Sequence, residues 1–222
     1  MLFIGGSFVE SSFSMPDDRF AAQLNHRLPF NIYNGGYSGT TLLQAACRIF
    51  VQIPTVAERG DSILLFSSQS DASCFSLSAG YWTNDKTYTA LQPPLTESPE
   101  WEASFTDTAA LIDSIVMFCR GMNFKLALCV SPYLRVEWER DRWLRRNYGL
   151  KDKQLQTAKR RAALSQVFRD AAKKNDIPLA DLESALAGDP KYFYDELHVN
   201  KAGQDRVAEV LTEFFNIQKN LS

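Results

Sequence analysis

Leu2-Phe3-Ile4-Gly5-Gly6-Ser7 is the stretch whose reading decides the fold. A short apolar run stopped by paired glycines describes a buried strand that ends in a tight turn, with a serine just beyond it. The same signature returns along the chain. Phe30 to Tyr33, Ser62 to Phe66, Lys125 to Ser131 and Ile177 to Leu182 each read as a short strand, and Ser62-Ile63-Leu64-Leu65-Phe66 runs directly into polar Ser67-Ser68-Gln69-Ser70-Asp71.

Helical patterns fill the intervals. Asp17-Asp18 offer cap chemistry to Arg19–Leu24, whose helix is stopped before Pro29, and Leu42–Ile53 has amphipathic spacing ended by Pro54. Trp101–Gly121, Arg135–Tyr148, Lys151–Asn175 and Lys201–Phe215 follow. The third of these points Leu155, Ala158, Ala162, Leu164, Val167, Phe168 and Ala171 inward; the last does so with Ala202, Val207, Val210, Leu211, Phe214 and Phe215. Strand and helix alternating from end to end call for a mostly parallel five-stranded sheet covered on both faces, an α/β three-layer sandwich. The pattern predicts one domain over 1–222, with an irregular excursion at about 72–101 and a helical one at about 133–150. Long irregular loops in compact domains are usually functional.

Composition narrows the function. With 24 Lys+Arg against 26 Asp+Glu the chain has no basic excess, so a nucleic-acid partner is disfavoured. Its apolar runs of about five residues fall far short of the ~20 a membrane-spanning helix needs. No basic, apolar leader opens it, so a complete chain would stay in the cytoplasm, whereas a domain excised from an exported protein would look the same. Oligomeric state is left open. Cys47, Cys74, Cys119 and Cys129 are scattered without paired spacing and read as reduced core residues. Two histidines, His26 and His198, are too few for a His-rich metal site, and no metal or organic cofactor is expected.

In a parallel sheet the ligand sits outside the carboxyl ends of the strands, where Gly5–Ser7, Asn34–Gly39, Ser68–Asp71 and Asp195–His198 would converge. Serine is a poor nucleophile unless a base removes its proton, and that base must be held in the right tautomer. His198 is the candidate base for Ser7, and Asp195, three residues earlier, can fold back onto Nδ1. His26 lies in a helix without an acidic loop partner. Backbone N–H groups in Gly-rich turns suit a developing oxyanion, which selects Ser7 and Gly39, with Gln69 or Ser70 as the side chain of a third donor. Gly35 and Gly36 read as turn glycines with positive φ, and Asp71 as a structural group bonding across strand ends. Asn200 is better placed than Asp195 to cap the last helix.

These segments, spread over nearly the whole chain, resemble the SGNH or GDSL-like hydrolases. Phe3-Ile4-Gly5-Gly6-Ser7-Phe8-Val9-Glu10 is similar to the family's first block, with Ser7 in the nucleophile's place. Asn34-Gly35-Gly36-Tyr37-Ser38-Gly39-Thr40-Thr41 is similar to the second, with Gly39 at the oxyanion glycine. Ser68-Gln69-Ser70-Asp71 falls where Gly-x-Asn-Asp belongs, and Asp195-Glu196-Leu197-His198 is similar to the Asp-x-x-His block. Two departures stand out. Gly6 replaces the usual aspartate, removing bonds that brace the turn, and Ser70 replaces the asparagine donor.

The resemblance implies a serine esterase working through an acyl-enzyme, removing an O-acetyl group from a carbohydrate. Two other readings use the same fold: acyl transfer to a sugar, and glycan binding without catalysis. Tyr37, Tyr81 and Trp82 are the candidate substrate-binding aromatics; Trp101, Tyr133, Trp138 and Trp143 could join such a platform, with core packing the heavier alternative. Arg140, Arg142, Arg145, Arg146, Lys159, Arg160 and Arg161 read as solvated helix faces.

Overall fold

A computed structural model describes residues 1–77, 79–88, 104–135, 142, 145–146, 149–218 and 221. Five strands form one sheet: β1 (Leu2–Gly5), β2 (Tyr33–Gly36), β3 (Ser62–Phe66), β4 (Lys125–Val130) and β5 (Leu179–Asp181). Every pairing is parallel and the order is β2-β1-β3-β4-β5. The chain thus starts in the middle, goes out to β2, and returns past β1 to build the other side. That reversal puts a crevice at the carboxyl end of β1, with loops diverging on either hand.

Side chains alternate across the pleat, so each strand feeds two cores. Phe3, Leu64, Phe66, Ala127, Cys129 and Ala180 face one layer, which contains α1 (Ser7–Glu10), α2 (Phe20–Arg27) and the later helices α7 (Leu182–Leu186) and α8 (Lys201–Ile217). Ile4, Ile63, Leu65, Leu126, Leu128 and Val130 face the other, built from α3 (Leu42–Val51), α5 (Phe105–Met122) and α6 (Lys151–Asn175). A stack of phenylalanines, Phe3, Phe8, Phe20 and Phe66, seats the first turn after β1 on the sheet with ring centroids 5.4–6.1 Å apart. Each such ring contributes about 1.5–3 kcal/mol by leaving water.

The second strand lies later than the sequence pattern predicts. Residues 34–36, expected in the turn, are strand, and neither Gly35 nor Gly36 has positive φ. These glycines are needed for space. A Cβ on Gly36 would lie 2.2 Å from the Glu10 nitrogen, and one on Gly35 would lie 2.7 Å from the Phe3 carbonyl oxygen. Close approach of α1 to β2 therefore fixes the strand here, and of the three only Gly39 takes the left-handed conformation.

Two helices are rotated from their expected faces. On α6, Leu164, Phe168 and Ala171 are buried as expected, but Leu155 is 43% exposed and Ala162 is on the outside, while Thr157, Arg161 and Ser165 turn inward. On α8, Ala202 is exposed, while Gly203, Gln204 and Ala208 join Val207, Leu211 and Phe215 inside. Gly203 sets that phase: a Cβ there would lie 2.2 Å from the Tyr192 carbonyl oxygen. Part of the 72–101 excursion is regular: α4 (Gln69–Cys74) reaches into it, and Gly80–Trp82 forms a 3-10 turn. Residues 89–103, and most of the expected helix at Arg135–Tyr148, lie outside the described residues. All four cysteines are free, and burial pushes the Cys119 thiol up to about 12.

Replacing Gly36 with alanine forces α1 and β2 apart and should lower the thermal midpoint by an overpacking cost of about 1–3 kcal/mol. Gly121→Ala is the control. A Cβ there meets nothing within 4 Å and the site is helical, so its midpoint should hold or rise slightly.

Candidate active site

Ser7 is the first residue of α1, directly past β1. The Gly6 carbonyl accepts the Val9 and Glu10 N–H groups at 3.1 Å, which closes the helical turn. N–H groups at the start of a helix have no acceptor within it, so the Ser7 N–H is free of helical duty. Tyr37-Ser38-Gly39-Thr40 forms the turn after β2. Thr40 N–H donates to the Tyr37 carbonyl at 3.2 Å, and Gly39 at φ +78° occupies the position that requires glycine in a type II turn. Glu10 ties the two segments together. Its Oε2 accepts the Ser38 N–H at 2.7 Å and also the Ser38 hydroxyl, while Asn34 Nδ2 donates to the Val9 carbonyl at 2.7 Å.

The segment carrying His198 is a tight loop closed at its base. Phe193 and Val199 pair antiparallel, Tyr194 N–H donates to the His198 carbonyl at 3.1 Å, and Asn200 N–H donates to the Tyr192 carbonyl at 2.9 Å. Asn200 caps α8 through the Gly203 N–H, as its position suggested. Asp195 Oδ1 accepts the N–H groups of Leu197 and His198 at 2.8 and 2.7 Å, leaving Oδ2 to face His198 Nδ1 at 2.7 Å. His198 Nε2 lies 2.8 Å from Ser7 Oγ. The structure thus brings Ser7, His198 and Asp195 into one chain of hydrogen bonds. Burial alone would raise the Asp195 pKa, but the His198 ring and the two N–H donors outweigh it and hold the carboxyl below its ordinary range. An ionised Asp195 favours a proton on Nδ1 and leaves the Nε2 lone pair to accept from Ser7. Tyr194 stacks on the imidazole at 5.7 Å, and the ring of Phe13, 80% exposed, meets its edge at 6.3 Å.

Two supports of this loop, Arg161 and Gln204, have no local sign in the sequence. Arg161, expected on a solvated face, is buried and bonds Glu196 Oε2 at 2.8 Å, with side chains only 7% and 13% exposed. It also lies 5.9 Å from the Tyr133 ring, which is buried rather than available as a platform. Arg160 is not simply solvated either: its Nε donates to the Ala72 carbonyl at 2.8 Å. Gln204 is buried on α8 and joins its start to the loop after α1. It accepts the Phe20 N–H at 2.8 Å and donates to Ser11 and Ser14 hydroxyls at 3.1 Å.

The candidates for a third donor differ in access. Ser70 is partly exposed at the start of α4, and its N–H donates to Ser68 Oγ at 3.3 Å. Gln69 is 8% exposed, and its amide nitrogen and oxygen are both buried without a hydrogen-bond partner. Asp71 is structural, as expected: its Oδ1 accepts the Leu42 N–H at 2.8 Å and thereby fastens α4 to the start of α3. Complete burial raises its pKa to about 7. Tyr81 is corrected from substrate contact to core. It is 2% exposed, packs edge-on against Phe75 at 4.7 Å, and its hydroxyl bonds Thr108 at 3.0 Å. Tyr37 is 67% exposed and Trp82 partly so; Trp101, Trp138, Trp143 and Arg140 lie outside the described residues.

Two hollows flank the serine side of the sheet. One, of about 10 Å³, is lined by Ser7, Tyr194 and His198 among others. The other, of about 520 Å³, runs from Gly39 and Tyr37 along α3 past Gln44, Arg48 and Gln52. Among the described residues no helix is long and apolar enough to cross a membrane.

No protein-family model matches the sequence, and no curated protein is similar enough to match it. Solved structures do match. A lipolytic protein of the G-D-S-L family from Veillonella parvula superposes with a TM-score of 0.65 over 97% of each chain at 12% identity. A GDSL-like lipase from Bacteroides thetaiotaomicron gives 0.61 at 15% identity, over 98% of this chain and 87% of the other. An acetylxylan esterase from Geobacillus stearothermophilus gives 0.62 at 15% identity, over 96% and 92%. The chain has the fold of these proteins.

Arg161→Met removes the buried guanidinium that bonds Glu196 Oε2, so it should cost up to about 3–5 kcal/mol in urea unfolding. Asp71 gives a pH signature. Its proton is held to about pH 7 in the fold but released near the ordinary 3.8 when the chain unfolds, so folding takes up a proton between these values. Stability from this group is full below 3.8 and is lost as pH rises through about 7. Between pH 5 and 8 the thermal midpoint of Asp71→Asn should therefore vary less than that of the parent.

Proposed function

We propose that this protein is a serine esterase that removes a short acyl group, acetyl above all, from a carbohydrate through an acyl-enzyme. The observation that carries the reading is the continuous hydrogen-bond chain from Ser7 Oγ through His198 to Asp195, at 2.8 and 2.7 Å. In the first half-reaction Ser7 Oγ attacks the ester carbonyl as His198 Nε2 takes its proton. Asp195 stays ionised and stabilises the imidazolium. The carbonyl oxygen becomes an oxyanion held by the Ser7 and Gly39 N–H groups. His198 then protonates the leaving alkoxide, the carbon–oxygen bond to the alcohol breaks, and an acyl-Ser7 ester is left. Water repeats the sequence with His198 as base, releasing the acid and free Ser7.

For the third donor, access favours Ser70, which is partly exposed, over Gln69, whose amide is buried. A hydroxyl is shorter than an amide. Loss of one such donor costs about 100- to 1000-fold in rate, so the turnover should be modest. The preference for acetyl follows from the family resemblance and from the acetylxylan esterase among the similar structures. The hollow along α3 is lined by Cys47 and Val51 as well as Gln44, Arg48 and Gln52, beside the exposed Tyr37, and such apolar surface with a few polar groups can take a sugar. Transfer to a second sugar would use the same residues, with an acceptor hydroxyl in place of water.

A serine-reactive fluorophosphonate followed by intact mass tests the nucleophile. One adduct is expected on the parent and none on Ser7→Ala, with labelling of His198→Ala slowed by at least about 1000-fold. Acetylated sugars should be cleaved faster than longer acyl esters. A folded parent that takes no adduct but binds glycans would replace this reading with the binding-module one.

A further inference from the structure

The loops carrying the three candidate oxyanion donors come from three different strands, and one side chain bonds two of them and lies beside the third. The hydroxyl of Ser68, a buried residue at the end of β3, donates to the Thr40 carbonyl, one residue past Gly39. The same oxygen accepts the Ser70 N–H at 3.3 Å as the cap of α4. It also fills the space beside Gly6, the residue before Ser7: a Cβ built on Gly6 would lie 2.9 Å from Ser68 Oγ, 3.8 Å from Ser68 Cβ and 3.5 Å from the Thr40 oxygen. A hydroxyl has one proton to give and two lone pairs, so a single Ser68 can serve both neighbours at once.

We propose that Ser68 is the positioning residue of the oxyanion site, holding the Gly39 turn, the first turn of α4 and the backbone before Ser7 in register through its hydroxyl, in space that Gly6 leaves open. The assignment rests on reading Ser7, Gly39 and Ser70 as oxyanion donors. Positions 6 and 68 are then one unit. Two side chains cannot share the space, so each residue sets what the other can be.

A double-substitution cycle on the full chain tests this. Ser68→Ala frees the Gly39 turn and α4, and misplacement of oxyanion donors acts on the transition state, so kcat on p-nitrophenyl acetate should fall about 10- to 100-fold with KM changed by less than about threefold. Gly6→Ala in the parent pushes Ser68 Oγ off its partners and should lower both kcat and the thermal midpoint. With Ser68 already alanine, the new Cβ at position 6 meets Ser68 Cβ at an ordinary 3.8 Å, so Gly6→Ala/Ser68→Ala should be no worse than Ser68→Ala alone. Equal losses from Gly6→Ala in both backgrounds, or a Ser68→Ala variant with parental kcat, would overturn the proposal. If Ser68→Ala does not fold, Gly6→Ala and Gly6→Ala/Ser68→Gly carry the cycle. Absence of turnover and fluorophosphonate adduct in the parent would sink the esterase reading instead. The thermal midpoints then decide alone: coupled losses keep the brace, and additive losses remove it.

Discussion

The position of β1 between β2 and β3 is the constraint on which the rest depends. Parallel pairing brings the carboxyl ends of neighbouring strands to the same edge of the sheet, so the residue just past β1 has the loops after β2 and β3 on either side. That residue is a helix start carrying Ser7. Its N–H is free because nothing in the helix precedes it to accept, and its flanking loops carry Gly39 and Ser70. None of these groups needs to travel far, because ladder register within the sheet already places their strands. The fine adjustment falls to side chains that cross between loops: Glu10 to Ser38, Asp71 to Leu42, and Ser68 to Thr40 and Ser70.

The His198 loop meets a harder problem, since it arrives from beyond β5 and must stop with Nε2 at hydrogen-bond distance from Ser7. Rigid placement of such a group saves the entropy that would otherwise be lost at each turnover. The loop is held at four points. Asn200 fixes its base and starts α8, Asp195 spends one oxygen on the loop's own backbone and the other on the imidazole, Glu196 is clamped by buried Arg161, and Gln204 links α8 to the residues after α1. A carboxylate and a guanidinium in such a place are expensive unless paired, so the Arg161–Glu196 contact makes both burials tolerable together.

Legibility divides along the distance over which a signal acts. The strands at Leu2–Ile4, Ser62–Phe66 and Lys125–Val130 could be read because each is a continuous apolar run with a polar or glycine stop, a property of adjacent residues. Gly35 and Gly36 misled because glycine looks the same in a sequence whether it supplies a positive φ or an absent Cβ. The backbone of Glu10, brought close by the β1–β2 pairing, decides for the second. Tyr81 and Arg161 misled for related reasons. An aromatic with a hydroxyl and an arginine in a basic run carry no mark of their partners, Thr108 and Glu196, which lie 27 and 35 residues away.

What the sequence by itself determined was the layered α/β plan and the three side chains that meet in one hydrogen-bond chain: Ser7, Asp195 and His198 stand beside local features, an apolar strand stopped by glycines or an Asp-x-x-His spacing, that declare them. Only the tertiary structure decided how those groups meet and which neighbours hold them. It set the distance across 191 residues from Ser7 to His198, buried the Gln69 amide while leaving Ser70 partly open, and gave the space beside Gly6 to Ser68. Patterns of strand and helix are written in neighbours along the chain, whereas burial, pairing and access are properties of neighbours in space.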